Sequence, residues 1–210
     1  MRTIKKHDDR KNEILDVAEM LFYSKGFEQC TVNDILKEIG IAKGTFYHYF
    51  SSKEEALDAI VDRNIELIIN RIKKVISNLD IEPVEKLMRV FLAMRIDDNM
   101  KSDMLDDLHK PDNALLHQKN LSHLIEAMAP VLVDVIDEGI EKNTWSCRYP
   151  LQYMQIFLAA ALTLTDEGIF EVAADSQMIT MAALIATLEK MLEVPEDSFL
   201  NSYLQNLDNQ

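Results

Sequence analysis

The stretch Thr31–Lys53, TVNDILKEIGIAKGTFYHYFSSK, leaves this chain few ways to fold. Thr31 stands before an apolar run with Asp34 three residues later, so hydroxyl and carboxylate can each satisfy an orphan N–H at a helix start. Val32, Ile35, Leu36 and Ile39 recur at helical spacing and give that helix one apolar face. Gly40 ends it, because the residue after a helix often turns left-handed and glycine does so without strain. Ile41 and Ala42 make the turn. Lys43-Gly44-Thr45-Phe46-Tyr47-His48-Tyr49-Phe50 then crowds a cation, hydrogen-bond donors and rings onto about two turns, too short to hold a core alone. Ser51 and Ser52, with Glu54 and Glu55 three residues beyond them, restart a helix. Short helix, glycine turn, polar-aromatic helix and capped restart together read as a helix-turn-helix.

Between Arg10 and Leu57 the chain carries Ala18, Leu21-Phe22, Gly26-Phe27, Thr31-Val32, Asp34-Ile35, Gly40-Ile41, Lys43-Gly44-Thr45, Tyr47, Phe50 and Lys53 in one ungapped order. This run, about a quarter of the chain, resembles the DNA-binding domain of TetR-family transcriptional repressors. Relatives often have Ala where Leu36 and Ile39 stand, and Ser or Thr where Ala42 stands. Ala42 cannot cap with its side chain, so a phosphate contact there falls to backbone alone.

The second short helix would be the one that reads DNA. Lys43 can meet phosphate or guanine, Gly44 lets backbone approach closely, and Thr45 can touch phosphate or a thymine methyl. Tyr47 and Tyr49 can donate to phosphates, and His48 can reach a base edge or backbone. Thr31 and Lys53, at the starts of flanking helices, would hold phosphates where helix N–H groups also point. Any one of these is equally a solvated polar residue; the set at this spacing is what carries the reading. Phe46 and Phe50, four apart, are a core face.

A net charge of −14 looks wrong for such a protein until it is divided. Residues 1–53 carry nine Lys/Arg against eight Asp/Glu, and the remainder thirteen against twenty-eight. The acidity therefore belongs to the body, where it serves solubility or attracts a cationic ligand, and a mildly basic end remains for phosphates. Cys30 and Cys147 lie far apart without metal-ligand spacing, as reduced structural thiols in a cytoplasmic protein would. The N-terminus lacks the apolar segment of a secretion signal, and the longest apolar run, Ile156 to Leu162, is too short to span a bilayer.

Gly and Pro are scarce at five each, and few runs alternate with period two, so the fold is expected to be all-helical. Residues 1–8 read as a mobile basic arm, followed by a helix from about Asp9 to Ser24 that stops at Gly26. A long fourth helix runs from Lys53 to about Leu79, a rod of roughly 40 Å, and Pro83 opens a fifth ending near Arg95. Asp97-Asp98-Asn99 reads as a turn, with short helical pieces at Ser102–His109 and from Asp112. These lead into a longer helix ending at Gly139–Asn143, which Pro130 would kink or break. The loop Asn143–Pro150 holds the single Trp, and helices Leu151–Phe170 and Ser176–Leu192 follow before a polar tail. The division expected is a reading domain at 1–52 and a helical effector-binding and dimerisation domain at 53–210.

The last two helices look too apolar for solvent, and small Ala and Thr residues would permit the close four-helix contact between two copies that TetR-like proteins use. The alternative is that both helices close the monomer's own core. In the middle helices Met88, Phe91, Met94, Met104, Met128, Trp145, Tyr153, Met154 and Phe157 combine flexible thioethers with rings, suited to a chamber for a small apolar effector or to plain core. His109, His117 and His123 lack the i, i+4 spacing of a helical metal pair, and no cofactor or metal is expected. The reading is a homodimeric repressor released from operator DNA by a small molecule. Its rivals are a helical enzyme, for which no nucleophile–base pair or phosphate loop stands out, and a helix-turn-helix protein whose body binds another protein.

Overall fold

The computed structural model describes residues 7–77, 81–94, 111–166, 169–170 and 174–199. They form eight α-helices and one 3-10 turn, with no strand among the described residues. By compactness they divide into two units: residues up to Asn64 with 111–120, and residues from Ile65 to 94 with those from Leu121 onward. Helices α4 (Lys53–Ile76) and α6 (Ala114–Glu141) contribute residues to both.

In the first unit α1 spans His7–Lys25, with Asp8 and Asp9 in its first turn and Lys25 in its last, each favourable to the helix dipole. His7 and Asp8, expected within a free arm at 1–8, are helical, and 1–6 lies outside the described residues. Ile14, Leu15, Ala18 and Phe22 recur at three- and four-residue spacing and are buried. They face Phe27, Ile35, Phe46, Phe50 and Leu57, which close a core in which every one of these side chains is at most 3% exposed. Each such large side chain contributes roughly 1.5–3 kcal/mol on burial. Phe22 and Phe27 meet edge to face with ring centroids 5.0 Å apart. Arg63 of α4 reaches back to Asp16 and Glu19 of α1 at 2.7 Å each, fixing the angle between those helices.

The second unit is built on one core. Ile72 of α4, Leu87 and Met88 of α5 (Pro83–Met94), and Met128, Leu132, Val135 and Ile136 of α6 pack with residues of α7 (Pro150–Leu164) and α8 (Ala174–Met191). Pro83 opens α5 as expected. Trp145, in the loop before α7, is 6% exposed and donates its indole N–H to the Ile136 carbonyl at 2.8 Å. Gly139 makes room for that ring: a Cβ there would stand 2.0 Å from the indole.

The structure corrects further expectations. Of the two outcomes expected at Pro130, the break does not occur: α6 is one helix through it. Pro130 and Glu126, whose carbonyl loses the amide that residue 130 would give, are both exposed, so water can stand in. α7 ends at Leu164, not Phe170: the Thr165 N–H and hydroxyl both donate to the Ala161 carbonyl, and the chain then turns, with the Asp166 N–H on the Thr163 carbonyl. The chain beyond Pro195 is also held: buried Glu189 accepts from the amides of Asp197 and Phe199, seating the Phe199 ring 5.8 Å from that of Trp145. The fourth helix stops at Ile76, and the expected turn at 97–99 and helical pieces at 102–109 lie outside the described residues.

Candidate nucleic-acid interface

The capping residues behave as their chemistry dictates. Thr31 has extended backbone, its hydroxyl accepts the Asp34 N–H at 3.2 Å, and the Asp34 carboxylate accepts the Thr31 N–H at 2.8 Å. Lys25 adds a 2.7 Å contact to that carboxylate, and this bond, with those from Thr31, holds the Asp34 carboxyl well below the usual range. α2 (Val32–Ile39) thus starts at one defined residue. It stops at another, Gly40, whose φ of +74° is the left-handed region and whose N–H closes on the Leu36 carbonyl at 2.9 Å.

Two residues later α3 (Lys43–Tyr49) begins, with Ala42 in the cap position and no side-chain cap bond. Phe46 is fully buried, and the Phe50 ring follows it inward at 5.8 Å. That pair fixes the rotation of α3, and the opposite face follows from it. Lys43, Gly44, Tyr47 and His48 are exposed; Thr45 and Tyr49 are half-buried at its margins. The Lys43 ammonium lies 5.7 Å from the centroid of the Tyr47 ring, which is 45% exposed for so large a side chain. A cation, a bare backbone, a phenol and an imidazole therefore share one solvent-facing strip. This is the chemistry that phosphate and base-edge contacts require.

The remaining candidates flank it. Thr31 is exposed but its hydroxyl is engaged in the cap. Lys53, first residue of α4, turns inward: its ammonium donates to the carbonyls of Phe27 at 2.7 Å and Cys30 at 3.0 Å and sits 4.1 Å from the Phe27 ring centroid. α4 is capped by Ser52, which accepts the Glu55 N–H at 3.1 Å. Cys30 is buried beneath this corner, and burial pushes its thiol pKa up, away from reactivity.

Two participants had no sequence signal. The His7 ring packs 4.8 Å from Tyr49 and 5.9 Å from His48, bringing the start of α1 beside the end of α3. Asn113, from the 3-10 turn Pro111–Asn113, is fully buried in this unit and accepts the Phe27 N–H at 2.9 Å.

The effector candidates lie in the second unit. Met88, Met128 and Met154 are fully buried, Trp145 and Phe157 nearly so, and Phe91 and Tyr153 pack against the same core. The rings of Phe91 and Phe157 are 5.0 Å apart. The Met94 side chain and Met104 lie outside what is described. Five candidates thus share one continuous core with two more at its edge.

Residues 14–60 match the family model described as bacterial regulatory proteins, tetR family, and residues 97–190 match that of the tetracyclin repressor-like C-terminal domain. An uncharacterized HTH-type transcriptional regulator in the lacX 3' region of Lactococcus lactis subsp. lactis is 29% identical over 140 residues, covering 59% of this chain and 71% of that one. The HTH-type transcriptional repressor KstR2 of Mycobacterium tuberculosis H37Rv is 26% identical over 139 residues, covering 65% and 69%. A putative transcriptional regulator from Pseudomonas aeruginosa PAO1 superposes with a TM-score of 0.64 at 15% identity, over 90% of this chain and 93% of that one, a likeness of fold alone.

Proposed function

Because the chain belongs to the TetR family of DNA-binding transcriptional regulators, we propose that it acts as a homodimeric repressor released from a palindromic operator by a small, largely apolar effector. Its family is one of regulators rather than enzymes. The observation that carries the reading is the rotation of α3: Phe46 and Phe50 inward, Lys43, Gly44, Tyr47 and His48 outward on one strip. In this reading those four enter a major groove, Thr45 and Tyr49 touch its edges, and Thr31 and Lys53 lie against the flanking phosphates.

Residues 1–52 then read DNA, while 53–210 hold the effector and the second copy. Two-fold symmetry of the protein imposes two-fold symmetry on the half-sites. The effector site is assigned to the Met-rich core around Met88, Met128, Met154 and Phe157, with Phe91, Met94, Met104, Trp145 and Tyr153 around it. Flexible thioethers there can rearrange around a guest. The 24-residue α4, about 36 Å long, carries residues of both units and is the natural lever. The working place is the cytoplasm; among the described residues no helix is long and apolar enough to cross a membrane.

Selection of duplexes from a random library by the purified protein tests the reading. An enriched inverted repeat, bound with affinity that falls steeply with salt, is expected. Recovery of no enriched sequence would sink it.

A further inference from the structure

The turn between α1 and α2 carries backbone groups that no helix satisfies, and the chain supplies their partners from two distant places. Gly26 leaves α1 with a φ of +90°. The carbonyls of Phe27 and Cys30 take the Lys53 ammonium. On the other side the Phe27 N–H donates to the Asn113 side-chain oxygen at 2.9 Å, and the Glu28 N–H reaches the Asp112 carbonyl at 3.5 Å. The Asn113 amide nitrogen donates in turn to the Tyr23 carbonyl in the last turn of α1, at 3.4 Å.

The approach is close. A Cβ on Gly26 would stand 2.6 Å from the Asp112 Cβ. Beyond the turn, Leu116 is 1% exposed, and Lys119 pairs with Asp58 of α4. A buried primary amide costs free energy unless its donor and acceptor are both met, and here the α1–α2 turn helps to meet them. Thr31, where α2 begins, follows that turn directly. The pose of α2, and of α3 behind Gly40, is therefore referred to Lys53 on one side and to Asn113 on the other.

We propose that Asn113 is a positioning residue for DNA reading: a side chain from the middle of the chain that fixes the α1–α2 turn and so sets how α2 and α3 are presented to the groove. The reading residues at 1–52 are then supported by 53–64 and 111–120, which share their compact unit. The inference rests on the DNA-binding reading above.

The test uses the full-length protein, a duplex selected by the parent, and a scrambled duplex of equal length. Each is titrated well below the thermal midpoint of every variant. A head that is mispositioned keeps its charges, so Asn113→Ala is expected to lose roughly tenfold or more on the selected duplex and to hold within about twofold on the scrambled one. A merely structural role would lower the thermal midpoint while leaving the ratio of the two affinities unchanged, and that result overturns the proposal. Equal binding of the selected duplex by parent and Asn113→Ala also overturns it, with the regulator reading intact; failure of the parent to select any duplex removes both. Hydrogen exchange on the parent needs no variant: the Phe27 amide is expected to exchange as slowly as the core amides of α1, and rapid exchange would refute the anchoring.

Discussion

The Lys53 ammonium donates to the Phe27 carbonyl at 2.7 Å and lies 4.1 Å from the centroid of the same residue's ring. A lysine at the first position of a helix is badly placed for the helix dipole, which favours anions there. Its placement is offset by the carbonyls of the α1–α2 turn, to which it brings charge-assisted bonds of roughly 1.5–3 kcal/mol. One side chain thus ties α4 to the turn that precedes α2.

Replacing Lys53 with Met keeps most of the apolar stem and removes the donor. The two carbonyls then lose their partner, and the variant is expected to unfold at lower denaturant, by about 1–3 kcal/mol. Urea titration followed by helicity measures this. A midpoint equal to the parent's would show that the ammonium is spent on solvent instead. Lys43→Ala provides the contrast: its ammonium packs only on an exposed ring, so stability is expected to hold while the salt slope of operator binding falls by about one.

Gly26 and Gly40 are both left-handed, at φ +90° and +74°, but their surroundings differ. A Cβ at Gly40 meets nothing within 4 Å, so Gly40→Ala is expected to cost only backbone strain of about 1–2 kcal/mol. At Gly26 the same strain is joined by collision with the Asp112 Cβ. Gly26→Ala is expected to destabilise more, and Asp112→Gly in that background to recover part of the difference. A double-mutant cycle reads the coupling, and additive effects would contradict the contact.

Stability is expected to fall at both ends of the pH scale, for different groups. Burial, then Glu19, pushes the Tyr23 phenol from 10.0 up to about 12. A pKa raised on folding means stability fully present below the unfolded value and lost as pH rises from 10 toward 12, about 2–3 kcal/mol in all. Tyr23→Phe is expected to flatten that alkaline decline. Asp34 has the opposite sign: held low by Lys25 and Thr31, it contributes above its unfolded value near 4 and its contribution fades as acid protonates it. Asp34→Asn is expected to remove that portion of the acid sensitivity. Urea midpoints across pH decide both, and variants that track the parent throughout would refute the assignments.

What the sequence revealed of this molecule is what is local in it. Thr31 with Asp34, Gly40 and the Phe46–Phe50 pair announce themselves because cap, stop and core face are each decided within four residues. The early end of α7 also had a local sign, in Asp166 and Gly168, which the run of Ala and Thr before them outweighed. Asn113 had none: its partner Phe27 lies 86 positions away, and a single Asn in a polar stretch resembles any turn residue. His7 was likewise invisible, since its packing on Tyr49 depends on the direction α1 takes through the core. Lys53 was legible as a cation near DNA but not as a brace, because only the fold brings the Phe27 and Cys30 carbonyls to it.

The outward side of the last two helices sets the final prediction. Leu188 and Ile185 of α8 and Leu158 and Met154 of α7 are spent in the monomer's core. Ile156 on α7 is nevertheless 54% exposed, and Ile179 and Met178 on α8 are 71% and 77% exposed, with Ala183 and Thr187 also facing out. Several large apolar groups beside small residues on a packed helix pair mark a surface that another helix pair can approach closely. In the proposed dimer, Ile156→Glu with Ile179→Glu would place four charges in the interface, two from each copy. Because both positions lie outside the core, helicity and thermal unfolding of the monomer are expected to survive. Sedimentation equilibrium at micromolar concentration is expected to give a dimer for the parent and a monomer for the double variant. Operator affinity is expected to collapse with it, since one head alone binds one half-site, while a scrambled duplex is still bound weakly through phosphates. A double variant that remained dimeric would move the interface to another face, and a monomeric parent that still bound an inverted repeat would remove the need for one.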